Sequence, residues 1–159
     1  MGFIKWLFGS KEHISDKALE HSSKGEYQSN GRIKSGGHGQ KNINYLKKEK
    51  IPYNIEKTYV NGVRVGNVPN HKKTRKQTGP NQSWFPKFWS DGTIKRAGQV
   101  VARGKKLKDG QTKFGHYGRV NVGIIRTNGK ISTIFPASKQ LNKKGVEVRE
   151  HRNTKRTNR

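Results

Sequence analysis

Two Asn-Gly pairs, Asn61-Gly62 and Asn128-Gly129, each lie between runs of β-prone residues. A two-residue hairpin turn needs positive φ at both central positions, which asparagine tolerates and glycine adopts freely. Asn-Gly between extended runs therefore specifies an antiparallel strand pair. The first turn joins residues 53–60 to 63–68, and the second joins 117–127 to 130–136. A chain with these two turns must build small antiparallel sheets.

Helical patterns surround the hairpins. Residues 16–21 form a short helix candidate with Ser15 placed to cap it. Between Gln40 and Lys50, Ile43 and Leu46 recur at helical spacing, with Tyr45 beside them and lysines opposite. Ile51-Pro52 ends that segment, because proline drives the preceding residue out of helical angles. Ser90-Asp91 opens a third helix with Ile94, Ala97, Val100 and Val101 on one face. The aromatic window Trp84, Phe85, Phe88 and Trp89 reads as a short strand anchoring the core, and residues 104–115 read as a lysine- and glycine-rich loop. The pattern predicts an α+β fold.

A length of 159 residues accommodates one domain, yet only 28% of the residues are hydrophobic. The deficit falls at the ends, so the expected organisation is a linker and helical lead-in over 1–29, a domain over 30–140 and a basic, mobile tail over 141–159. The apolar start, residues 2–9, is interrupted by Lys5. It is too short for a signal-peptide core or a membrane span, and no membrane span is expected. The chain carries 35 Lys and Arg against 10 Asp and Glu, a net charge of +25. Such self-repulsion implies an anionic partner: nucleic acid first, then an acidic protein, then a membrane surface. With no cysteine, disulfides and thiolate metal sites are excluded.

The chemistry centres on Ser35-Gly36-Gly37-His38-Gly39-Gln40. Glycine lets a ligand approach the main chain, and imidazole exchanges protons near neutral pH. A second histidine, His71, lies in the basic loop Asn70-His71-Lys72-Lys73-Thr74-Arg75-Lys76. No Asp or Glu occurs from Lys57 through Ser90, which disfavours a carboxylate-held two-metal site. A one-metal site using His71 with Asn70 or Asn81 stays open. The metal-free reading needs two histidines: one takes the proton of an RNA 2′-hydroxyl, and the other protonates the leaving 5′-oxygen. His38 and His71 fit these roles, with His116 beside Tyr117 as the competing site. His13, His21 and His151 read as exposed bystanders.

Four motifs occur in order: Gly36-Gly37-His38-Gly39; residues 61–71, from Asn61 to His71; residues 82–89, from Gln82 to Trp89; and residues 131–136, ending in Phe135-Pro136. Together they make the region from about residue 30 to 137 resemble the bacterial EndoU nuclease domain of polymorphic toxins, especially the LXG type. The resemblance implies a compact fold with small antiparallel sheets flanking a cleft, and RNA cleavage to 2′,3′-cyclic phosphate and 5′-hydroxyl ends without a cofactor. It maps catalytic roles onto His38, His71 and Thr133, and base binding onto Phe135. The catalytic lysine of animal and viral relatives has no match at residues 79–83; Lys72, Lys73, Lys76, Lys87 or Ser83 with backbone amides are the substitutes. The resulting expectation is a monomeric toxin endoribonuclease, secreted within a larger protein, acting in a target cell's cytoplasm and held in check by an acidic immunity protein. A metal-dependent deoxyribonuclease and a non-catalytic RNA-binding domain are the alternatives.

Overall fold

The computed structural model describes residues 12–104 and 107–151. The apolar segment 2–9, residues 105 and 106 of the basic loop, and 152–159 of the tail lie outside the described residues. Helix α1 (Asp16–Ser23) starts where its cap predicts: Ser15 is extended, and its hydroxyl accepts from the Ala18 N–H at 3.1 Å. Strands β1 (Glu26–Tyr27) and β2 (Ile33–Ser35) form a two-stranded sheet. Helix α2 (Gln40–Lys48) leads into β3 (Asn54–Thr58), β4 (Arg64–Asn67) and β5 (Gln82–Trp84), with a 3₁₀ turn at Thr74–Gln77. Helix α3 (Asp91–Val101), capped by Ser90, precedes β6 (Thr112–Tyr117), β7 (Val120–Thr127) and β8 (Lys130–Pro136). The fold is α+β, and both three-stranded sheets are antiparallel in sequence order.

The β7–β8 turn has φ of 51° at Asn128 and 76° at Gly129, as an Asn-Gly hairpin requires. The first hairpin is shorter than its sequence pattern. Its ladder ends at Thr58 and Arg64, and of the Asn61-Gly62 pair only Gly62 has positive φ. Tyr59 N–H still donates to Val63 at 2.8 Å, while the Tyr59 ring is 2% exposed and its hydroxyl donates to the Ser138 carbonyl at 2.9 Å. In the aromatic window only Trp84 is in a strand, because Pro86 has no N–H to continue the ladder. Strand β6 begins within the predicted loop 104–115 and runs through Tyr117, so the strand expected over 117–127 is divided by a turn at 118–119. The residues of β6 lack apolar alternation, and its order comes from pairing with β7.

Two apolar cores divide the interior. The larger joins Ile14 and Ala18 to Val63, Val65, Phe85, Trp89, one face of α3, and β7–β8. The smaller gathers Ile33, Ile43, Leu46, Val68 and Trp84. Helix α1, expected in a lead-in segment, is thus part of the domain's core. Residues 141–151, expected in a mobile tail, are tied to β3 and its flank: His151 N–H donates to Thr58 at 2.7 Å and Val60 N–H to Arg149 at 2.9 Å.

Where α1 ends, its last carbonyls need donors. The N–H groups of Gly37, His38 and Gly39 supply them, donating to His21, Ser22 and Ser23 at 3.0, 2.6 and 2.9 Å. That approach requires Gly36: its φ is +68°, and a Cβ there would lie 2.0 Å from the His21 carbonyl oxygen. Gly31 has φ +83° but open space around it. Gly31→Ala therefore costs only the left-handed strain, about 1–2 kcal/mol. Gly36→Ala adds loss of the cap bonds, for a total of about 3 kcal/mol or more. Urea unfolding of both variants measures the difference.

Candidate active site

The His38 main chain is held on both sides, donating to Ser22 and accepting from Phe85 N–H at 2.7 Å. Its Nδ1 lies 2.7 Å from the Ser83 carbonyl. A carbonyl only accepts, so Nδ1 carries the proton and Nε2 keeps a lone pair. The ring is 4% exposed, with its centroid 5.8 Å from that of Phe135. Burial lowers its pKa well below the usual value; the Lys76 charge adds to this, the Ser83 bond opposes it, and His21 and Lys73 contribute. The imidazole is neutral at neutral pH.

His21, expected to be an exposed bystander, joins this site. It occupies the last turn of α1, with Nδ1 3.1 Å from Glu26 Oε1 and Nε2 3.2 Å from Thr133 Oγ1. The carboxylate accepts at Nδ1, so Nε2 is the nitrogen turned toward the Thr133 hydroxyl. Nothing in the polar stretch around His21 marks it. The glycine pair signals a loop that approaches backbone closely, but it does not name the helix end it approaches.

Thr133 and Phe135 alternate on the same face of β8 and are half-buried. Thr133 meets His21, and Phe135 meets His38. Ser83 plays a different part: its hydroxyl donates to the Pro136 carbonyl at 2.7 Å, joining β5 to β8. Beneath the loop, the buried Arg64 guanidinium donates to Gln40 Oε1 at 2.7 Å and to the Phe85 carbonyl. Burial lowers its pKa to about 10, which leaves it charged at neutral pH.

His71 is fully buried. Its Nδ1 accepts from Lys73 N–H at 2.9 Å, which places the proton on Nε2, a buried atom without a partner among the described residues. Its carbonyl takes bonds from Arg32 and Gln77. Burial, then Lys76, Lys73 and Arg32, lower its pKa to about 4. With its Nδ1 lone pair spent on the Lys73 N–H, this ring has no lone pair left to take a proton, and it is not an imidazolium near neutral pH. Its environment still overlaps that of His38, since Lys73 and Lys76 act on both. Lys76 is itself half-buried, and desolvation lowers its pKa to about 8. Lys72, Lys73 and Lys87 are exposed.

His116 and Tyr117 lie apart from this group. They line a separate cavity of about 660 Å³ with Val60, Arg119 and Val148, and His116 Nε2 is 2.7 Å from the Leu141 carbonyl. Among the described residues, no group of three or more His, Cys, Asp or Glu could hold a metal ion, and no helix is long and apolar enough to cross a membrane.

The family model for bacterial EndoU nuclease matches residues 15–138, from the cap of α1 past the end of β8. No curated protein and no solved structure matches the chain.

The buried neutral His71 makes stability depend on pH. An unfolded histidine titrates near 6.5, whereas the folded ring titrates at about 4. The unfolded chain therefore binds the extra proton first, and stability present above pH 6.5 is lost as pH falls toward 4. Over that window the loss is on the order of 3 kcal/mol from this residue. Urea unfolding at pH 7 and pH 5 should show a smaller pH dependence in His71→Gln, with the remainder due to His38.

Proposed function

Because the chain belongs to the bacterial EndoU nuclease family, and so is a nuclease acting on nucleic acid, we propose that it cleaves RNA by metal-independent transphosphorylation at His38 and His21. One observation carries this reading. Consecutive main-chain bonds hold the last turn of α1 against the loop of His38, and Thr133 and Phe135 of one β8 face meet His21 and His38 respectively. Each imidazole commits Nδ1 to an acceptor, with Nε2 of His21 at the Thr133 hydroxyl and Nε2 of His38 keeping its lone pair.

His38 Nε2, neutral through burial, takes the 2′-hydroxyl proton. The 2′-oxygen attacks the adjacent phosphorus, the bond from phosphorus to the 5′-oxygen breaks, and a 2′,3′-cyclic phosphate forms. His21, backed by Glu26, delivers a proton from Nε2 to the leaving 5′-oxygen. The Thr133 hydroxyl meets the phosphate, and Phe135 offers a ring face to the neighbouring base. Lys76 supplies positive charge as the phosphorane gains negative charge, and it is the substitute for the lysine absent from residues 79–83. In this reading His21 takes the place expected of His71 in the acid/base pair, while His71 supports the loop that carries Lys73 and Lys76.

The charge of +25 suits both an RNA track and an acidic immunity protein, and it supports a toxin role within a larger secreted protein. Labelled RNA incubated in EDTA is expected to be cut to cyclic-phosphate ends, with a 2′-deoxy residue at the attacked position blocking cleavage. His38→Ala and His21→Ala should each lower kcat by about 10²–10⁴, with His71→Gln much less affected. Because the His38 base is lowered below 6.5, the acid limb of kcat/KM should fall below that pH. Cleavage that survives the 2′-deoxy residue, or that requires a divalent ion, favours a deoxyribonuclease instead.

A further inference from the structure

Across the third sheet, Phe114 of β6 pairs with Gly123 of β7, which pairs with Phe135 of β8. Side chains in one such row share a face, but rings on the outer two strands are ordinarily separated by the residue between them. Here that residue has no side chain. A Cβ at Gly123 would lie 2.5 Å from Phe135 Cζ and 2.9 Å from Phe114 Cε1. The two rings therefore meet edge to face over the glycine, with centroids 5.9 Å apart and planes at 82°. Phe135 in turn lies against His38.

Phe114 is 53% exposed and belongs to neither apolar core. Folding buries too little of this ring to account for it, yet it is the outer end of an aromatic row that starts at His38. Thr112 and Thr133 lie on the same face, at the ends of the adjacent row through Ile125. The ring thus extends the substrate face away from the scissile phosphate.

We infer that Phe114 stacks an unpaired nucleobase next to the one at Phe135, so the enzyme takes single-stranded RNA and holds at least two nucleotides. The inference rests on the ribonuclease reading and deepens it. An exposed aromatic on a cationic surface binds bases of any sequence through their π faces, whereas paired bases are stacked within a duplex and cannot reach it. Continuity with Phe135 and His38 favours a base over an apolar side chain of a protein partner.

The test uses full-length protein and single-stranded RNA oligonucleotides made uncleavable by a 2′-deoxy residue at the attacked position. Each carries 2-aminopurine at one position on either side of the scissile phosphate. Quenching is expected in the wild type both at the base over Phe135 and at the one next to it. Phe114→Ala should lose only the second and bind about tenfold more weakly, Phe114→Trp should restore the second signal and the affinity, and duplex binding should be indifferent to either change. Quenching and affinity in Phe114→Ala equal to wild type would overturn the inference and leave the ring for a protein partner. Since the readout needs no cleavage, quenching by a wild type that fails to cut RNA would overturn the ribonuclease reading alone.

Discussion

The contact on which the rest depends is the run of three main-chain hydrogen bonds from residues 37–39 to the final carbonyls of α1. A helix end buried without donors is costly, and here a glycine loop supplies them. The same bonds bring the last turn of α1, with His21, against the loop that carries His38. Neighbouring contacts lock the arrangement. Gln82 Nε2 donates to the carbonyls of Gly36 and Gly37, and Ser23 donates to Asp91, which also pairs with Lys41. Ser22 Oγ accepts from Ile134 N–H, fastening the helix end to the edge of β8. The placement of both histidines and the stability of the fold therefore rest on the same set of bonds.

The group lies where the two apolar cores adjoin. Trp84 enters the smaller core and Phe85 the larger, while the main chain on either side of Trp84 holds His38, through the Ser83 carbonyl and the Phe85 N–H. Each buried aromatic contributes several kcal/mol, about 4–6 by area, so the histidine backbone is fixed by anchors it does not itself provide. The polar groups between the cores are matched in turn: Trp84 Nε1 donates to Asn42 Oδ1, and Asn42 Nδ2 donates to Tyr27 and to the Lys24 carbonyl. A Cβ at Gly37 would strike Asn42, so the glycine pair faces the helix end through one residue and this network through the other.

Burial and cations act together on proton affinity. Lys73 and Lys76 depress both His38 and His71, while desolvation depresses Lys76 itself. An anionic substrate entering this field would relieve the repulsion that the high charge imposes on the free protein. The two histidines that share these lysines nevertheless differ in use. His38 has its donor satisfied and its lone pair free, whereas His71 spends its lone pair on the Lys73 N–H and leaves its donor unpaired.

Local physics made much of the framework legible. Ser15 and Ser90 cap the helices they precede, Asn128-Gly129 turns the last hairpin, and Gly36-Gly37-His38 marks a loop of left-handed glycines around a histidine. Each of these is set by residues a few positions apart, which is the range over which sequence patterns carry information. The part of His21 was not legible, because the glycine pair marks a close main-chain approach without naming the helix end it meets. Strand β6 was missed for a related reason: its ladder to β7 orders residues whose own preferences are weak. The sequence determined the last hairpin's turn, the caps, the charge and the loop of His38; tertiary structure chose what that loop meets, because only packing decides which distant carbonyls a loop's N–H groups will reach.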